Sequence, residues 1–105
     1  MAESEEIERA GCALIEATSA PAKVIVFGMH VGGDGEVRGD YEFLVIEREV
    51  EDRSGEMARL GRILGRLLIP AQVVVASEEE VRRGGSVKGM TLHEALSHGR
   101  VIAES

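Results

Sequence analysis

Apolar positions recur along this chain in two rhythms, one helical and one of short unbroken runs, and their alternation sets out its elements. Ile7, Ala10, Leu14 and Ile15 fall at helical spacing behind an acidic first turn, which predicts a helix from about Ser4 to Thr18, closed by Pro21. Lys23 to Phe27 is a β-branched run, most simply a buried strand. Gly28, Gly32, Gly33, Gly35 and Gly39 then mark a glycine-rich loop, either flexible or shaped for close approach by a ligand. Tyr41 to Glu47 reads as a second strand, and its continuous Phe43-Leu44-Val45-Ile46 suits a strand covered on both faces.

From about Ser54 to Leu68 the helical rhythm returns, with Met57, Leu60, Ile63, Leu64, Leu67 and Leu68 as the apolar stripe. Ala71 to Ala76 is a Val-rich third strand. Ser77-Glu78-Glu79-Glu80 has the form of a capping box and predicts a short helix that stops near Gly84-Gly85. Thr91-Leu92-His93-Glu94 repeats the signature before a last helix through Ser97, which Gly99 ends, and Arg100 to Ala103 adds a short strand. The order α-β-β-α-β-α predicts an α/β (α+β) domain, a small mixed sheet with helices packed on it.

Composition narrows the partners. At 105 residues the chain fits a single domain, and one this small gains from a partner or from self-association as a homo-oligomer. Aromatics are 3% of the chain, so the core falls to Val, Ile, Leu and Met. With 12 basic against 19 acidic residues the net charge is −7, which disfavours long nucleic acid, since phosphate binding needs a basic patch to release counterions. A basic protein partner fits the charge better. Arg59, Arg62 and Arg66 share a helical face that reads as solvated. No apolar run approaches the roughly 20 residues of a membrane span, and the acidic start is unlike a signal peptide. Cys12 has no cysteine to pair with, and with these features predicts a cytoplasmic protein.

The candidate chemistry centres on Val24 to Ile46. Asp40 and Glu42 alternate along a strand and so share a face. On their own they read first as a solvated strand edge; together they are also a candidate pair for holding Mg2+ against a phosphate. His93 and His98 stand five apart, not at the spacing of a shared helical metal site, and read as surface residues. Cys12 reads as a small buried apolar residue rather than a nucleophile. Lys88 lies between glycines without a surrounding P-loop pattern, and Met57 and Met90 read as core or interface.

These residues resemble the minimal nucleotidyltransferase family of the DNA polymerase beta superfamily. That family shows a strand, a Gly-Ser, a loop, then Asp-x-Asp opening the next strand, and a third Asp opening a later one. Here the strand ends in Gly28-Met29-His30, Asp40-Tyr41-Glu42 opens the next strand, and Gln72 stands at the third acidic position. The resemblance extends from about Ala22 to Ile102, including the last helix, Gly99 and the short apolar strand after it.

The resemblance implies a nucleotide site at Gly28, Met29 and His30, with Asp40 and Glu42 as catalytic and metal carboxylates for Mg2+ and an NTP. The departures imply a degraded site. Met29 has no hydroxyl for the triphosphate, His30 and Gly32 replace the basic residues of the loop, and Glu42 is one methylene longer than Asp. Gln72 carries no charge and cannot act as a base. The expected protein is a binding or regulatory module, antitoxin-like, paired with a HEPN-type helical protein. The alternative is an active enzyme that moves NMP from an NTP to a protein or small-molecule hydroxyl with Mg2+.

Overall fold

The computed structural model describes residues 3–18, 22–31, 37–87 and 90–105, with side chains described except at 3–4, 28–31, 37–40, 87 and 90–91. The elements are α1 (Glu3–Ala17), β1 (Ala22–Val31), β2 (Val37–Glu47), α2 (Arg53–Arg66) and β3 (Ala71–Ser77), then α3 (Glu78–Arg82), β4 (Ser86–Val87), β5 (Met90–Thr91), α4 (Leu92–His98) and β6 (Arg100–Glu104). Four strands form a mixed sheet in the order β3-β2-β1-β6. β1 runs antiparallel to both β2 and β6, whereas β2 and β3 are parallel, with α2 as the crossover that parallel strands require. This is the α+β arrangement that the order of elements predicts.

Both faces of the sheet are covered, as the unbroken apolar run of β2 requires. Alternate residues divide it: Tyr41, Phe43 and Val45 pack with Val24, Val26, Val73 and Val75 beneath Ile7 and Leu14 of α1 and Leu60 and Leu64 of α2. Leu44 and Ile46 face the other way, with Ile25 and Ala76, onto Leu92 and Ala95 of α4. The Tyr41 hydroxyl, nearly buried, donates to Glu6 Oε1 at 2.7 Å and ties α1 to β2.

The termini of the helices follow from local chemistry. Asp52 caps α2 by accepting from the Gly55 N–H at 3.0 Å. The capping box at Ser77 forms as its sequence predicts: Ser77 Oγ accepts from the Glu80 N–H, and Glu80 Oε1 accepts from the Ser77 N–H, each at 3.2 Å. Gly84 ends α3 at φ 74°, donating to the Val81 carbonyl while Gly85 donates to that of Glu80. Gly99 is required for a different reason: a Cβ there would lie 2.5 Å from both the Ala95 carbonyl oxygen and Ile25 Cγ2.

Three expectations change, and one small element is added. The stretch expected to be a loop from Gly28 is largely a hairpin, because β1 continues to Val31 and β2 begins at Val37, with His30 opposite Arg38 and Val31 opposite Val37. Pairing satisfies backbone groups that an open loop would leave to water, and the register shifts on either side of Gly28 are the mark of a glycine within a strand. Residues 32–36, which carry three of the loop glycines, lie outside the described residues. Cys12 is exposed rather than buried, since α1 turns Ile7, Ala10, Gly11 and Leu14 inward and Cys12 falls off that stripe. Leu68 is not part of the packed stripe of α2: it is 86% exposed, at φ 60°, as the left-handed residue that closes the helix. The small β4–β5 sheet, too short to leave a periodic signal, joins α3 to α4.

Candidate functional site

The positions singled out by the nucleotidyltransferase resemblance converge in the backbone. Gly28 of β1 stands opposite Glu42 of β2, and Glu42 stands opposite Gln72 of β3, so the three form one row across the sheet. Glu42 is half-buried and Gln72 exposed. Both alternate with the residues under α1 and α2, which puts them on the α4 side of the sheet. Asp40 lies two positions before Glu42 on β2, and its side chain, with those of Met29 and His30, is outside the described residues. The donors offered by the described part of the row are one carboxylate and one amide. The side chain of Gln72 supplies an oxygen without charge where a metal pair would require a carboxylate.

A second cluster lies at the opposite, C-terminal end of β2, and the sequence reading passed over it. Glu47 follows the apolar run and by alternation joins Tyr41, Phe43 and Val45 on the α2 side, where it is 93% buried at a relative exposure of 7%. Its carboxyl shares a side-chain hydrogen bond with that of Glu56, while its Oε2 accepts none. Next to it, Glu56 of α2 accepts two bonds from Arg59, Nε at 2.9 Å and Nη2 at 2.7 Å. Burial, and then the neighbouring Glu56 carboxylate, push the Glu47 carboxyl up to about 7, while Arg59 pulls against them. The hydrogen bond from Arg59 holds Glu56 below the usual carboxylate range, and Glu56 in turn raises Arg59. These groups border an open pocket of about 510 Å³ that also takes in Glu49, Glu51 and Asp52 from the β2–α2 loop. The signal was present in the sequence, an acid in phase with Phe43 and Val45 on a strand covered on both faces.

The remaining candidates resolve individually. His93 and His98 are both exposed on α4, as their spacing predicts. Met57 packs against the main core, while the side chain of Met90 and all of Lys88 lie outside the described residues. Arg59 is drawn into its pair with Glu56, whereas Arg62 and Arg66 are exposed. Among the described residues no three His, Cys, Asp or Glu side chains converge as a metal site, and no helix is long and apolar enough to cross a membrane. No family model matches the chain, and no curated protein or solved structure matches it.

Proposed function

We propose that this chain is a nucleotidyltransferase-like domain with a degraded site, acting in the cytoplasm as a binding or regulatory module, the antitoxin-like partner of a HEPN-type helical protein. The observation that carries this reading is the row Gly28–Glu42–Gln72, in which positions far apart in the sequence meet across three adjacent strands. In this reading Asp40 and Glu42 would hold Mg2+, which would neutralise the phosphates of an NTP, and Gly28, Met29 and His30 would contribute to the nucleotide site. Gln72 provides neither a base nor charge for a second ion, so binding outlasts transfer. Nucleotides at roughly millimolar levels need only about −4 kcal/mol of binding free energy, which a weakened site can supply. The net charge of −7 favours a basic protein partner over nucleic acid. The test is co-purification with a HEPN-type protein encoded beside the chain. The reading expects a stable complex in which the ribonuclease activity of the partner is suppressed. A chain that stays alone, with the ribonuclease fully active in its presence, contradicts it.

A further inference from the structure

Leu68 breaks two local rules at once. It holds a left-handed backbone at φ 60°, where glycine or asparagine is the usual closing residue, and its side chain is 86% exposed. Either smaller residue would close α2 without placing an aliphatic side chain in water, so the fold of the single chain gains nothing from this leucine. Beside it an open groove of about 520 Å³ runs along the outer face of α1. Leu67, Cys12 and Ala13 give the groove an apolar lining, and its charges are three carboxylates, Glu5, Glu8 and Glu16, against one guanidinium, Arg9. Arg66, two residues before Leu68, is exposed, and its guanidinium makes no ion pair or hydrogen bond among the described residues. An apolar knob flanked by a free cation thus stands next to an apolar groove with an acidic rim, and the two are complementary in shape and in charge.

We propose that two copies of this chain associate about a two-fold axis, each inserting Leu68 into the groove between α1 and Leu67 of the other, with Arg66 set against the carboxylates of that groove. Knob and groove adjoin, since Leu67 lines the one and Leu68 is the other, so both halves of an isologous contact can form together and the assembly closes at two. A domain of 105 residues buries a small share of its surface alone, and covering Leu68 adds apolar burial twice over. The net charge of −7 opposes association at long range, so the local match of Arg66 to the glutamates is what sets the register of the two copies. The contact lies on the α1 and α2 side of the sheet, away from Glu42 and Gln72, and does not depend on the nucleotide reading.

The experiment is sedimentation equilibrium of the purified chain from about 1 μM to about 1 mM. The proposal expects the mass to rise from the 11.3 kDa of one chain to twice that value and no further. Leu68→Asn, which keeps a residue suited to the left-handed backbone, and Arg66→Glu, which reverses an exposed charge, should both stay at the mass of one chain throughout. Asparagine closes the helix at least as well as leucine, so loss of association in a variant that is no less stable at the lowest concentration assigns the effect to the contact and not to misfolding. Cys12 supplies a readout on the unmodified protein, because it lines the groove and is exposed in the single chain. Its alkylation by iodoacetamide should slow in step with the doubling of mass, and should keep its rate in Leu68→Asn. The proposal is overturned if the unmodified chain keeps the mass of one copy up to about 1 mM, if association runs on past two copies, if folded Leu68→Asn or Arg66→Glu associates as the unmodified chain does, or if Cys12 reacts equally fast before and after the mass doubles.

Discussion

Glu47 shows how one side chain sets a property of the entire chain. Its carboxyl titrates at about 7 when folded against an ordinary value of 4.5, so the folded protein holds a proton that the unfolded chain gives up. Between those values unfolding releases protons, and stability falls as pH rises, by as much as about 1.4 kcal/mol per unit and roughly 3 kcal/mol across the window. Glu56 is shifted the other way, and its contribution grows as pH rises through the acid range below. Chemical denaturation at a series of pH values should therefore show stability declining from about pH 5 to 7.5, and Glu47→Gln should remove most of that slope. An unchanged slope in the variant would assign the titration elsewhere. Leu68 makes a second prediction at this scale. A left-handed backbone costs a non-glycine residue about 1–2 kcal/mol, and the Leu68 side chain is almost fully in water. Leu68→Gly should raise stability by about 0.5–1 kcal/mol in denaturant titrations, net of the entropy glycine brings to the unfolded chain.

At the scale of elements, ends and close approaches decide more than interiors. Gly99 lets the end of α4 meet β1, and in Gly99→Ala the new carbon would press on a backbone carbonyl that cannot yield. The expected loss is about 1–3 kcal/mol, read as a lowered denaturation midpoint. Ser77→Ala removes one half of the capping box and should cost about 1 kcal/mol. The core strands and long helices were legible in the sequence because their apolar periods run over many residues, as in Phe43 to Ile46 and Leu60 to Leu64. Hairpin pairing beyond Gly28 was not, because glycine signals a turn in local terms while the partner that keeps it extended, Glu42, is fourteen residues away. Leu68 was misread because periodicity does not show where the helix stops; the Schellman-type closure, Ile69 N–H to Leu64 carbonyl at 3.0 Å, does.

At the scale of the molecule, the sheet gathers polar residues at opposite ends of the parallel pair β2 and β3. One end aligns Gly28, Glu42 and Gln72; the other gathers the acidic pocket at Glu47. The first was legible as residues but not as a row, since the sequence does not state register. The second was passed over because an acid at a strand end looks like surface unless its phase with Phe43 and Val45 is weighed. The most direct measurement of the central claim is a calorimetric titration of the chain with ATP, with and without Mg2+, on the unmodified protein and on Asp40→Ala. The account predicts weak binding that requires Mg2+, is lost in Asp40→Ala, and leaves the ATP intact. The absence of binding under either condition, or a continuing heat of ATP consumption, would contradict it.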